Sequence, residues 1–236
     1  MITLYGPAQT PFTEKVRRAL LYKGLDFELV EPVRPEDYRR FSPKTGQLPV
    51  LDLEGEHVPD STEILLRLDQ VYPEPPLLSP DPTVAAQQRQ LEEWADESFL
   101  WYFMKYRRMA MGDDYAAPLP LAGESAGPPA RPKRSSIWRR VGAWLRAGGT
   151  WERPHTALLR EIGLRLDDLS NFLGGRPFFY ADRLSMADLA VYSMLASLRE
   201  DRIPGAALLL AARPTLVALL ENVEAATGGR GPRRGA

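Results

Sequence analysis

The stretch Thr-Pro-Phe-Thr-Glu-Lys-Val-Arg-Arg-Ala-Leu-Leu-Tyr-Lys, residues 10–23, decides how the first part of the chain folds. It follows a short apolar run at 2–5 through a Gly-Pro turn at 6–7, which predicts a strand, a tight loop and a helix. Thr10 is a typical N-cap residue, and Pro11 suits the first helical position. A helix N-terminus favours an anion, yet this stretch alone is most simply interpreted as a cap.

The composition is that of a globular chain with no strong bias in charge. The 236 residues are 44% hydrophobic and 26% charged, with a formal net charge of -1 and no cysteine. The chain therefore has no disulfide, no thiolate metal site and no cysteine nucleophile, and its charge does not predict a nucleic-acid partner. No signal peptide is visible, and no apolar run approaches the roughly 20 residues of a spanning helix. We expect a cytoplasmic protein.

A second strand at 26–30, a short helix at 35–41 and a hairpin turning at 54–55 complete the pattern of the N-terminal third. The third strand begins at Leu48-Pro49, and a proline cannot donate to a strand ladder. An ordinary trans proline at a strand edge is the simpler reading of these residues, and a cis bond is the alternative.

The cap residues Asp60 and Ser61 precede another amphipathic helix. Its N-terminus suits a carboxylate, whereas the Asp60 side chain suits an ammonium group. Together these two residues suit the head group of an amino acid.

These three motifs, in this order and spacing, resemble the glutathione S-transferase family. They are the Thr-Pro-Phe-Thr-Glu-Lys-Val-Arg helix start, Gly-Gln-Leu-Pro-Val-Leu before the third strand, and Asp-Ser before the third helix. Some of the motifs are like those of the omega and zeta classes. The resemblance implies a thioredoxin-like βαβαββα domain over 1–74, followed by an all-helical domain.

The resemblance also implies where glutathione binds. Leu48, beside a cis Pro49, would pair through its backbone with the cysteinyl part of glutathione, and Asp60 and Ser61 would hold the γ-glutamyl head group. Thr10 would face the sulfur as the catalytic residue, where family members carry serine or cysteine. Further candidate binding residues are Phe12 and, for the glycyl carboxylate, Arg34. Tyr5, which lies within the first strand, is interpreted as a packing residue.

A proline-dense linker at 75–82 separates the first domain from a helical region predicted over 83–226. The helix that begins near 83 carries a broad apolar face. On that face Tyr102 and Tyr106 are candidate contacts for a second substrate. The face comprises Val84, Leu91, Trp94, Ala95, Ser98, Trp101, Tyr102 and Tyr106.

An insertion at about 112–154 interrupts the family pattern. It begins with a loop rich in proline, glycine and alanine, and a short amphipathic helix rich in tryptophan and arginine is predicted at 136–146. That helix could lie on a membrane surface or bind a partner, but a lid over the cleft is the preferred interpretation.

Ser185 and Asp188 have the spacing of a capping box, which the family carries in the central helix of its second domain. Before it, an amphipathic helix is predicted over 158–172. A last helix carries Leu216, Leu219, Leu220 and Val223, and the tail at 227–236 is expected to be disordered.

The expected function is that of an enzyme which binds glutathione as co-substrate, stabilises its thiolate and transfers it to an electrophilic apolar substrate. A non-catalytic scaffold or binding protein of the same fold, and a glutathione-dependent isomerase, are the alternatives. The resemblance implies a homodimer. The two histidines have no carboxylate cluster at ligand spacing, so no metal site is expected.

Overall fold

The computed structural model describes residues 1–111, 154–180, 183–228 and 233–234. The first 71 of these form the predicted βαβαββα unit. Its strands and helices are β1 (Ile2–Tyr5), α1 (Pro11–Tyr22), β2 (Phe27–Val30), α2 (Pro35–Phe41), β3 (Val50–Leu53), β4 (Glu56–Pro59) and α3 (Ser61–Val71).

The strands form one sheet in the order β4-β3-β1-β2-β5, where β5 is the short Arg233–Arg234 segment. β1 runs parallel to β2 and antiparallel to β3, and β3 and β4 form the predicted hairpin. A tight turn through Glu54 and Gly55, both with positive φ, joins that hairpin. Helices α1 and α3 pack together and bury Val16, Leu20, Ile64 and Leu68 in the core.

The remaining helices are α4 (Pro82–Met111), α5 (Pro154–Leu173), α6 (Met186–Arg199), α7 (Ala206–Ala211) and α8 (Pro214–Ala226). Helix α6 is the centre of this part: it packs against α1, α4, α7 and α8. Nearly every one of its side chains is buried, as expected for a helix that is covered all round. The four apolar residues predicted for the last helix are all buried in α8.

The segment between α3 and α4 is held by buried polar groups. The side chain of Lys23 is fully buried, and its Nζ donates to Asp69 Oδ1 (2.9 Å), to Tyr72 O (2.6 Å) and to Pro75 O (2.9 Å). Asp69 also accepts from the N–H of Leu77 at 2.8 Å. These bonds satisfy a buried ammonium group and fix the path of the linker.

Two large aromatic residues of the helical domain are exposed. Trp101 is 51% exposed on α4 and lies 4.3 Å from Lys105 Nζ, measured to its ring centroid. Phe172, near the end of α5, is 45% exposed and lies beside Arg176. Helical spacing identifies an apolar face without showing how much of that face the single chain covers.

The predicted tail at 227–236 is described only at its first two residues and at 233–234, and its other residues lie outside the described ranges. Thr227 is buried, and its hydroxyl donates to Val223 O (2.7 Å) and accepts from Arg18 Nη1 (2.7 Å). Further on, β5 pairs in parallel with β2. The loop and the 136–146 helix of the predicted insertion lie outside the described residues. Within the residues described, no helix is long and apolar enough to cross a membrane.

Candidate functional site

The candidate site lies at one edge of the sheet, where three loops meet. Tyr5 is the last residue of β1 and pairs with Val50, the first residue of β3; Val50 in turn pairs with Pro59, the last residue of β4. The loop before α1, the Leu48–Pro49 bond and the start of α3 therefore lie next to one another. The Leu48–Pro49 bond is cis, as the resemblance implied.

Thr10 caps α1 as the sequence predicts. Its Oγ1 accepts from the N–H of Thr13 (3.3 Å), and its hydroxyl proton has Thr13 Oγ1 (2.8 Å) and Pro7 O (3.2 Å) as acceptors. Gly6 lies against this pair, since a Cβ added there would stand 2.4 Å from Thr13 Oγ1. Gly6 therefore packs closely against Thr13, whose Oγ1 is the partner of the Thr10 hydroxyl. A side chain at position 6 would displace that Thr13 side chain.

Asp60 caps α3 from a backbone with φ of 70°. Its Oδ1 accepts from the N–H groups of Thr62 (2.9 Å) and Glu63 (3.2 Å), while Ser61 is buried at the first helical position. A carboxylate and a helix N-terminus therefore stand side by side. This arrangement offers one partner to an ammonium group and another to a carboxylate.

The two other predicted binding residues, Arg34 and Phe12, belong to the start of α2 and to α1. Arg34 is exposed at the start of α2, and the Asp37 side chain accepts from its N–H (2.8 Å). The backbone hydrogen bonds to Asp37 lower the pKa of that carboxyl. Phe12 is half-buried on α1, with Lys15 Nζ 6.0 Å from its ring centroid. Tyr5, expected within the first strand, is its last residue, and its ring stacks on Phe41 at 4.6 Å between centroids, a contact that supports a packing role.

A cleft of about 900 Å³ opens beside Thr10, between the loop at 8–10, the end of β2 and the C-terminal end of α6. Seven of the fifteen residues that line it carry charged side chains. The guanidinium and carboxylate groups face one another, as in the pair of Arg17 with Glu14 at 2.6 Å. The charged residues are Glu14, Arg17, Arg18, Glu31, Arg199, Glu200 and Arg202.

The two tyrosines predicted to contact a second substrate are placed differently. Tyr102 is 5% exposed, and its ring packs edge-on against Phe99 and Trp101 in the helical core. Tyr106 is half-buried, with its ring centroid 5.8 Å from that of His155. Neither residue lines the cleft beside Thr10. The burial of Tyr102 is explained by its contacts with the helices that cover this side of α4.

A buried ionic cluster behind the site was not predicted from the sequence. Lys15 Nζ donates to Glu92 Oε1 (2.6 Å) and to Asp96 Oδ2 (2.5 Å), and Thr62 Oγ1 donates to the same Glu92 oxygen (2.6 Å). The lysine side chain is fully buried. Burial raises the pKa of Asp96 to about 6, although the lysine opposes that shift. Asp96 Oδ1 is buried and has no hydrogen-bond partner among the described residues.

The capping box is present. Asp188 accepts from the N–H and the hydroxyl of Ser185, at 2.9 and 2.6 Å, and from the N–H of Phe179 at 2.8 Å. Burial raises the pKa of Asp188 to about 6. Both residues lie inside the helical domain and serve its folding. Among the residues that the structure covers, no group of three or more histidine, aspartate or glutamate side chains could hold a metal ion.

Two family models match the chain. The N-terminal domain of glutathione S-transferase matches residues 4–76, and the C-terminal domain matches residues 153–228. The chain belongs to the glutathione S-transferase family. The βαβαββα unit followed by the helical domain is the fold of that family, as the resemblance in the sequence implied.

The chain is similar to several relatives in this family. It is 38% identical to protein LigF of Sphingobium sp. over 105 residues, which span 41% of this chain and only 40% of LigF. It is 24% identical to the isoprene-epoxide–glutathione S-transferase of Rhodococcus sp. over 85% of this chain and 88% of that protein.

A solved glutathione S-transferase from Methylobacterium radiotolerans, in complex with glutathione sulfonate, superposes with a TM-score of 0.61. It is 26% identical, and the match covers the whole of this chain and 96% of that one.

Proposed function

We propose that this chain binds glutathione at the sheet edge and stabilises its thiolate for transfer to an electrophile. The observation that carries the proposal is the register of β1, β3 and β4, which brings Thr10, Leu48 and Asp60 to one edge. In the proposed complex the backbone of Leu48 pairs with the cysteinyl unit, and Asp60 and Ser61 hold the γ-glutamyl group. The relative from Methylobacterium, solved with a glutathione derivative, supports this ligand.

The thiol is placed at Thr10 and the start of α1. A free thiol has a pKa near 8.5, and lowering that pKa by about two units requires about 2.7 kcal/mol. The Thr10 proton is engaged with Thr13 Oγ1 at 2.8 Å, so the thiolate must compete for it. A hydrogen bond to an ion is roughly twice as strong as one between neutral groups. The Thr10 hydroxyl therefore donates to the thiolate in preference to Thr13 Oγ1, and the helix N-terminus further stabilises the thiolate.

We place the second substrate in the cleft beside Thr10. Its walls are formed largely by paired charges, so they suit an electrophile with polar groups better than a purely apolar one. The apolar substrate expected from the sequence stays a prediction beside this one. The homodimer and the cytoplasmic location implied earlier stay predictions.

Calorimetric titration with glutathione tests the first step. We expect a dissociation constant in or below the millimolar range. Absence of heat at millimolar glutathione would overturn the proposal and leave a scaffold role as the better account.

Spectrophotometric titration of the bound thiol tests the second step with a matched pair of variants. Thr10→Val removes the hydroxyl at nearly constant volume, whereas Thr10→Ser keeps it. We expect the thiol pKa to rise by about one unit in Thr10→Val, as one lost hydrogen bond of about 1.4 kcal/mol implies, and to stay near the parent value in Thr10→Ser. An equal pKa in all three proteins would remove Thr10 from the mechanism.

A further inference from the structure

The buried cluster of Lys15, Thr62, Glu92 and Asp96 joins both halves of the proposed glutathione site to one helix of the second domain. Lys15 belongs to α1, which Thr10 caps, and Thr62 belongs to α3, which Asp60 caps. Their polar atoms reach the same oxygen, Glu92 Oε1, each at 2.6 Å. A single carboxylate of α4 therefore fixes the separation of two helix N-termini.

We infer that Glu92 is a positioning residue for glutathione. Through Lys15 and Thr62 it holds the N-terminal ends of α1 and α3 at a fixed separation. This inference rests on the proposed function, because it concerns the geometry of the same site. Glu92 itself is 1% exposed, and its bonds satisfy buried groups. It acts through the two helices and does not need to touch the ligand.

The charges of the cluster favour a single arrangement of α1 against α4. Glu92 and Asp96 are four residues apart on α4, so both carboxylates project from one face of that helix. Lys15 bonds to both, and its charge lies in a fully buried position, where ion pairs are little weakened by solvent. Losing one partner of such a pair is costly, so the native arrangement is strongly preferred over alternatives.

The link to α3 passes through the Thr62 hydroxyl. The N–H of Thr62 donates to Asp60 Oδ1 at 2.9 Å, while its hydroxyl donates to Glu92. One residue thus connects the α3 cap, which would meet the γ-glutamyl group, with the carboxylate that also holds α1. A shift of either helix would change the span that glutathione must bridge, and small misplacements of binding groups are expensive.

The experiment removes only the hydrogen bond from the Thr62 hydroxyl to Glu92. Thr62→Val deletes the hydroxyl at nearly constant volume and leaves the ion pairs of Lys15 intact, and Thr62→Ser restores the hydroxyl. Thr215→Val is the matched control. Thr215 Oγ1 and Ser170 Oγ also form a part-buried hydroxyl bond of 2.6 Å, but between α5 and α8, away from the sheet edge.

Isothermal calorimetry with glutathione and thermal melting are measured for all four proteins. We expect the glutathione dissociation constant of Thr62→Val to rise about tenfold, the equivalent of about 1.4 kcal/mol. Thr62→Ser should bind within about twofold of the parent, and so should Thr215→Val, even though its melting temperature falls as much as that of Thr62→Val.

The outcomes separate the two proposals. If the parent does not bind glutathione, the proposed function fails and this inference fails with it. If the parent binds and Thr62→Val binds equally well, the positioning role alone is overturned. A Thr62→Ser variant as weak as Thr62→Val would also overturn it, because the hydroxyl would then not be the group that matters.

Discussion

The buried capping carboxylate Asp188 gives the sharpest prediction about the fold. Its side chain is completely buried and satisfies two backbone N–H groups, those of Phe179 and Ser185. Replacing it with alanine leaves both donors buried without a partner, at about 1–3 kcal/mol each. Loss of the buried charge offsets part of that cost, since burial raises the pKa of Asp188 to about 6. We therefore expect Asp188→Ala to lower the free energy of unfolding by about 3 kcal/mol.

Two variants with smaller expected losses of stability serve as references for this value. Ser185→Ala removes only the hydroxyl that donates to Asp188 and should cost about 1 kcal/mol. Asp81→Ala removes an exposed cap that accepts from the N–H groups of Thr83 and Val84, and should also cost about 1 kcal/mol.

Urea unfolding followed by tryptophan fluorescence measures these differences, and thermal melting checks them. At roughly 2–4 °C per kcal/mol for a chain of this size, Asp188→Ala should melt about 6–12 °C below the parent. If Asp188→Ala destabilises the protein no more than Asp81→Ala does, burial of the cap contributes nothing and the reasoning fails.

Two further predictions concern the pH dependence of this carboxyl and the loop before α1. The folded-state pKa of Asp188 is raised to about 6 from its ordinary value of 3.8, so the folded state binds the proton more tightly than the unfolded state. The stability of the parent relative to Asp188→Asn should therefore increase as the pH falls through about 6, and parallel urea titrations that show no such trend would contradict the raised pKa. Gly6→Ala would place a Cβ 2.4 Å from Thr13 Oγ1 and should cost about 1–3 kcal/mol. Gly175→Ala, where a Cβ meets nothing within 4 Å, should stay within about 0.5 kcal/mol of the parent in the same melting assay.

The helix starts could be predicted from the sequence because their signals are local. Thr10, Asp60 and Ser185 each lie within three residues of the groups with which they bond, so a short motif contains the whole interaction. The cis Leu48–Pro49 bond is different, since the residues alone favoured the trans form. Only the order of three motifs, taken as a family resemblance, gave the correct geometry there.

The buried cluster could not be predicted in the same way, because its bonds join residues 77 and 81 positions apart. One signal was present: Lys15 lies on the apolar face of α1, four residues before the buried Ala19. A lysine in that position needs a buried anion, and Glu92 with Asp96 offers two on one helical face. The need for a partner can be read from the sequence, whereas the choice of partner depends on where the tertiary fold places α4 relative to α1.

The cleft beside Thr10 was not predicted, for a related reason. The candidate contacts for a second substrate were chosen from aromatic residues of α4, but helical spacing does not tell which side of a long apolar helix faces the core. Tyr102 is in the core, and Trp101, one residue before it, faces outward. The walls beside Thr10 come instead from α1, the end of β2 and residues 192–202, which are brought together only by tertiary packing.

The cap geometry bears directly on whether a threonine can serve at position 10. The cap uses a lone pair of Thr10 Oγ1, which accepts from the N–H of Thr13, whereas a thiolate would use the hydroxyl proton. Helix capping and thiolate binding therefore do not compete; the thiolate displaces only the proton's present acceptors, Thr13 Oγ1 and Pro7 O. The methyl group narrows the choice of rotamers, and the cap bond helps to fix the orientation of Oγ1. A serine would search more rotamers for the same bond, so the threonine offers a hydroxyl that is already directed by the helix it caps.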